Sequence, residues 1–266
     1  MSMEAEFEES FVAADGFRIR YLSAGPMDGN AVVCLHGAGG PRVSEFHELL
    51  AENYRVFVFE APGFGESAVN EKSQTMWDLA GTMNQAVAAL GTGPIHLTGN
   101  SFGGKLALCM AAMKPEFGIN SIVLIAPAAI RPDPELRLTP EERLATMRAH
   151  PERQSPRPPL SEAVAKKQQT LFRRLIGPPR DAELEAKMAD IDVPVLALFG
   201  VSDRLIPSDM ARHYVEILPN CHVTMVYDAA HVINADRPEA TFSLAADFLE
   251  NREKFLVSGA DALLHR

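Results

Sequence analysis

The sequence predicts an α/β fold: a mostly parallel central sheet, helices on both faces, and a helical segment inserted between two of the later strands. Three observations carry that expectation. Short, wholly apolar runs such as Ala31–Leu35 and Val193–Phe199 alternate with helical patterns, and strands buried on both faces belong to parallel sheets. A glycine-rich turn, Gly99-Asn100-Ser101-Phe102-Gly103, joins a buried strand to a run of helix formers. Residues 128–190 break the alternation, holding nine of the nineteen prolines and no strand pattern. A chain of 266 residues is ordinary for one domain with a sizeable core.

The elements follow in order. Phe7–Ala13 and Phe17–Ala24 read as strands joined by Asp15-Gly16, a hairpin signal that sets an antiparallel edge. Ala31–Leu35 is a strand, Ser44–Asn53 a helix, and Arg55–Phe59 the next strand. Thr75–Leu90 places Met76, Leu79, Met83, Val87 and Leu90 on one helical stripe. Pro94–Thr98 feeds the glycine turn, Lys105–Met113 is helical, and Ser121–Ile125 is again a strand. Within 128–190 the helical patches are 140–149, 161–175 and 182–189. Leu160, Val164, Leu171, Phe172, Leu175 and Ile176 give this segment an apolar face, so it reads as a packed insertion and not as a disordered excursion. Val193–Phe199, a helix at 208–218, a strand at 222–227 and a closing helix at 238–250 complete the pattern. The core is therefore expected in residues 1–127 and 191–266, with residues 128–190 as a helical cap.

Charge narrows the partners. A net charge of −10 argues against nucleic acid. No apolar run reaches the roughly 18 residues of a membrane span. The acidic N-terminus has no basic or apolar leader pattern, so a cytoplasmic location is expected. Cys34, Cys109 and Cys221 lie far apart in apolar segments and read as buried thiols. Nothing in the sequence predicts an oligomeric state. The insertion carries 12 Lys/Arg against 10 Asp/Glu, while the rest of the chain carries 13 against 25. That local excess is read as solvated helix faces, with an anionic group on a substrate as the alternative.

The chemistry-bearing residues fall just beyond strand ends. Gly99–Gly103 matches G-x-S-x-G, a turn that strains the central residue and presents the Ser101 hydroxyl above a helix N-terminus. Residues 31–35 run into His36-Gly37-Ala38-Gly39, where the Ala38 N–H, with that of Phe102, suits an oxyanion hole. His36 itself is read as structural. Residues 193–199 lead to Asp203, and 222–227 lead to His231. The chain order Ser101, Asp203, His231 suits a nucleophile, an orienting acid and a base. Asp209 and Asp228 are the rival acids. A serine hydroxyl needs a neutral imidazole to take its proton, so His231 is the expected base. No metal-ligand spacing and no cofactor motif is present in the sequence.

Four segments carry a family resemblance: His36–Gly39, Pro62-Gly63-Phe64-Gly65-Glu66-Ser67, Gly99–Gly103, and Phe199-Gly200 with Asp203 and His231. On these the chain resembles the α/β-hydrolase superfamily across nearly its whole length. The resemblance implies the α/β-hydrolase fold and a serine hydrolase, carboxylesterase-like, acting on a small acyl substrate with water. The Gly-Asn-Ser-Phe-Gly-Gly elbow is similar to that of meta-cleavage-product hydrolases, which break carbon–carbon bonds. Gly40-Pro41-Arg42 and Val232 depart from their usual Gly-Pro-Gly and Trp. A C–C hydrolase and a non-catalytic ligand-binding member of the fold stay open as alternatives. The cap is expected to close an apolar cleft over Ser101 and to set substrate choice.

Overall fold

A computed structural model describes residues 5–132, 139, 142, 146–153 and 160–254. Eight strands form one sheet in the order β1-β2-β4-β3-β5-β6-β7-β8. They are β1 (Glu8–Ala14), β2 (Phe17–Ala24), β3 (Ala31–Leu35), β4 (Arg55–Phe59), β5 (Ile95–Asn100), β6 (Ile119–Ile125), β7 (Val195–Gly200) and β8 (Cys221–Val226). β1 and β2 are antiparallel to each other, β2 is antiparallel to β4, and all further pairings are parallel. The burial strings explain the split. β1 alternates between exposed and covered positions, as an edge strand does, whereas every residue of β3 and β7 is buried.

Helices cover both faces. On one side α1 (Glu45–Ala51) packs through Phe46 and Leu50 against Leu244 and Phe248 of α8 (Pro238–Asn251). Pro238 opens α8 at the first helical position, where its missing N–H costs nothing. On the other side lie α2 (Met76–Ala88), α3 (Phe102–Ala112), α5 (Ala182–Met188) and α6 (Ala211–Ile217), with Met83, Leu106, Leu184 and Tyr214 in the core. Full burial of each such side chain contributes roughly 2 kcal/mol. Thr75 caps α2 by accepting the Asp78 N–H, and the Asp78 carboxylate returns the bond to the Thr75 N–H.

The insertion contributes α4 (Glu162–Leu175) and α5, capped by Ser161 and Asp181 through the N–H groups of Val164 and Leu184. α4 lies across the loop that follows β4: the Gly65 N–H donates to Gln168 Oε1 at 2.8 Å, and Lys167 Nζ donates to the carbonyls of Gly65 and Ser67. Gly63 has φ 92°, a conformation that favours glycine, and a Cβ there would sit 2.5 Å from a Leu171 methyl, which would have to shift. Lys105 of α3 is buried and reaches up to the insertion, donating to the Ile176 carbonyl at 2.9 Å and to Asp181 at 3.0 Å.

The structure refines several sequence expectations. The helix expected at 208–218 opens as a 3₁₀ turn, Ser208–Met210, before α6. A 3₁₀ turn at Pro151–Arg153 and a one-turn helix α7 (Ile233–Asp236) were not expected, being too short to show periodicity. Half of the helical patch expected at 140–149, residues 140, 141 and 143–145, lies outside the described residues. Among the described residues no helix is long and apolar enough to cross a membrane.

Two outcomes follow from this packing. Lys105→Met strands the Asp181 carboxylate in a mostly covered site and lowers stability by about 3 kcal/mol, read from the urea midpoint at constant m-value. His47 and His96 are pushed down to about 4 by burial, from an ordinary 6.5. Between those values the unfolded chain binds protons that the folded chain refuses, so stability intact above pH 6.5 is lost as pH falls toward 4. Urea unfolding across that window should show proton uptake on unfolding, reduced in His96→Asn.

Candidate active site

The site is built at the carboxyl ends of β3, β5, β7 and β8, where an open α/β sheet gathers its reacting groups. Ser101 follows β5 directly, with φ 51° and ψ −110°, a conformation that side-chain-bearing residues rarely adopt. The backbone around it holds the strain. Its N–H donates to Ile125 O at 2.9 Å, and its carbonyl accepts from Gly104, Lys105 and Ala128. A Cβ on Gly99 would lie 2.3 Å from the Gly103 carbonyl, and one on Gly103 would lie 2.3 Å from that of Leu35. The two glycines let strand, turn and helix approach closer than any other residue allows.

The structure brings Ser101, His231 and Asp203 into one hydrogen-bonded line. The Ser101 hydroxyl lies 2.9 Å from His231 Nε2, and His231 Nδ1 lies 2.8 Å from Asp203 Oδ2. The other oxygen of Asp203 accepts the N–H groups of Leu205 at 2.8 Å and Ile206 at 3.0 Å. That leaves Oδ2 for the imidazole, which donates from Nδ1 and turns its acceptor Nε2 toward the serine. Asp203 and His231 are both buried. The rivals are elsewhere: Asp228 is exposed and pairs with His150 at 2.8 Å and Arg237 at 3.6 Å, and Asp209 sits in the Ser208–Met210 turn.

His36 is spent structurally. The Ala61 N–H donates to its Nε2 at 3.1 Å, so its proton is on Nδ1, facing the Gly37 carbonyl at 2.7 Å. That pairing fixes the Gly37–Gly40 turn, itself closed by Gly40 N–H to Gly37 O at 3.1 Å. Among the described residues no acceptor takes the N–H of Ala38 or of Phe102.

Sequence reasoning missed Asp236, whose carboxylate is wholly buried in α7. It accepts the N–H of Ala230, one residue before His231, at 2.8 Å, and those of Ala149 and His150 at 2.9 and 3.1 Å. One acid thus ties the His231 loop to residues 147–153. A carboxylate five residues after the histidine was visible, but its three donors come from segments 6 and 87 positions away.

Ser101 and His231 open onto a cleft of about 1390 Å³, lined by the Gly37–Gly40 turn, α1, α4 and residues 147–148. Apolar side chains, Phe172, Ile176 and Leu205 among them, line the cleft as expected, and six arginines line it as well. Four of the six, Arg131, Arg148, Arg153 and Arg173, belong to the insertion, whose basic excess the sequence analysis read as solvated helix faces.

Comparison with known proteins bears on the family and the fold. Residues 32–244 match the model of the alpha/beta hydrolase family. The chain belongs to that family and has its fold. A 2-hydroxy-6-oxo-6-(2'-aminophenyl)hexa-2,4-dienoic acid hydrolase of Metapseudomonas resinovorans is 31% identical over 48% of this chain and 45% of its own length. The match thus spans less than half of that relative. A 2-hydroxy-6-oxononadienedioate/2-hydroxy-6-oxononatrienedioate hydrolase of Burkholderia vietnamiensis is 25% identical over 90% of this chain and 93% of its own length. A crystal structure of a bacterial membrane phospholipase A superposes with a TM-score of 0.76 at 26% identity, covering 92% of this chain and 86% of that one.

Asp236→Asn puts an amide N–H₂ where backbone donors converge. Stability falls by about 3 kcal/mol, and any turnover that uses His231 falls with it, because the loop loses the Ala230 anchor. Asp236→Glu should recover less than half of either, measured by urea unfolding and steady-state kinetics.

Proposed function

We propose that this member of the alpha/beta hydrolase family hydrolyses a carboxylic ester, or a related small acyl compound, through a covalent Ser101 acyl-enzyme. The unbroken line from Asp203 through His231 to Ser101, ending on a strained elbow at the cleft, carries this reading. The Ser101 hydroxyl attacks the acyl carbonyl carbon while its proton passes to His231 Nε2. Asp203 accepts from Nδ1–H and stabilises the imidazolium. The unclaimed N–H groups of Ala38 and Phe102 are suited to the oxyanion, and one such donor is typically worth about 3 kcal/mol in the transition state. Collapse breaks the bond to the leaving alkoxide, which takes the proton from His231. Water, with His231 as base, then splits the acyl-serine and restores the hydroxyl.

Residues 128–190 act as the cap in this reading, supported by the bond from Gly65 to Gln168 of α4, the Arg131–Gly177 contact, and the presence of Arg131, Arg148 and Phe172 in the lining of the Ser101 cleft. The substrate is a small molecule, and neither nucleic acid nor a membrane is needed.

Relatives that match over most of their length favour a second reading, hydrolysis of a carbon–carbon bond in a meta-cleavage product. A panel of short p-nitrophenyl esters beside such a diketo acid, ranked by kcat/KM, separates the two. An organophosphonate should label the protein with one equivalent at Ser101. Ser101→Ala and His231→Ala should each remove nearly all turnover, since residues acting as a unit do not contribute additively. Full ester turnover by Ser101→Ala would remove the mechanism and leave the fold.

A further inference from the structure

The cleft around Ser101 carries Arg42, Arg131, Arg148, Arg153, Arg173 and Arg204 in a chain whose net charge is −10. The carboxylates lining it among the described residues are Glu45, Glu48 and Glu52, all on α1 or at its end. A concave wall with an excess of one sign of charge focuses potential and favours a ligand of the opposite sign.

The six arginines are not equivalent. Arg131 is tied to the carbonyls of Ala128 at 3.0 Å and Gly177 at 2.7 Å, and Arg153 to that of Asp236 at 2.8 Å. Arg148 makes no hydrogen bond or ion pair with a described residue. Its place is nevertheless set from both sides. The Met147 carbonyl accepts the Val232 N–H at 3.0 Å, and the Ala149 N–H donates to Asp236 at 2.9 Å. The chain carrying Arg148 is therefore pinned to the loop that holds His231. Burial, then the neighbouring charge of Arg42, holds the Arg148 guanidinium below the ordinary arginine range, with Asp236 opposing. A half-buried fork of donors in a reactive cleft, next to a second cation, suits a carboxylate or phosphate, which it can grip with two parallel bonds.

We infer that Arg148 forms an anion-binding subsite in the Ser101 cleft, whose wall Arg42 also lines, and that the preferred substrates are acyl compounds bearing a carboxylate or similar anionic group. This rests on the acyl-transfer reading above. The test compares kcat/KM for mono-p-nitrophenyl glutarate, with its anion on the acyl side, and 4-acetoxybenzoate, with its anion on the leaving side, against neutral p-nitrophenyl butyrate. Arg148→Gln should lower the anionic-to-neutral ratio about tenfold on at least one arm, chiefly through KM. Arg148→Lys should restore part of it, because it keeps the charge without the fork. Added salt should erode the wild-type ratio and leave that of Arg148→Gln almost flat. A wild-type preference for the neutral ester, or a ratio unmoved by Arg148→Gln, overturns the subsite. Failure of the acyl-transfer reading is a separate result: no ester of either charge is turned over, or turnover survives Ser101→Ala. In that event calorimetric binding of glutarate, present in the wild type and lost in Arg148→Gln, sustains the subsite, and equal or absent binding in both ends it.

Discussion

The backbone of Ser101 is the constraint on which the rest of the site depends. A conformation with positive φ at a residue bearing a side chain costs on the order of 1–3 kcal/mol and persists only where its surroundings over-determine it. Here the surroundings are β6, the start of α3 and residue 128, all bonded to the Ser101 peptide groups. Holding them that close requires backbone to touch backbone, at Gly99 against Gly103 and at Gly103 against Leu35. The second contact links the elbow to the end of β3, and so to the turn that presents the Ala38 N–H. The Ser101 hydroxyl and the Ala38 and Phe102 N–H groups are therefore positioned by one packing solution.

A second layer of polar contacts sets what surrounds that centre. Lys105, Gln168 and Lys167 fasten the insertion to the core through carbonyls, a peptide N–H and one carboxylate. Asp236 fastens residues 149–150 to the loop of His231. Buried polar groups of this kind are costly unless every donor finds an acceptor, and here all the named bonds but that from Ala230 to Asp236 join segments distant in sequence. Orientation of the base and shape of the cleft are thus mechanically coupled. Arg148 and Arg153 of the cleft are held by the Asp236 bonds, and Arg173 lies on the helix that Gln168 fastens.

Much of this protein was determined by its sequence alone. Apolar runs such as Ala31–Leu35 read as strands covered on both faces, and the spacing of Met76, Leu79 and Met83 as a buried helical stripe, because hydrophobic periodicity is a local property. The positions of Ser101, Asp203 and His231 just past strand ends were legible for the same reason. Tertiary structure decided what depends on long-range contact. It chose Asp203 over Asp209 and Asp228, since only its carboxylate meets His231 while two peptide N–H groups hold its other oxygen. It turned Asp236 from an ordinary helix acid into the anchor of three segments, and Lys105 from a helix-face cation into a buried link to Asp181. It also gathered arginines from separate loops into one cleft. A pattern along the chain records which face a residue buries, and only the folded chain records which distant charge or carbonyl it meets there.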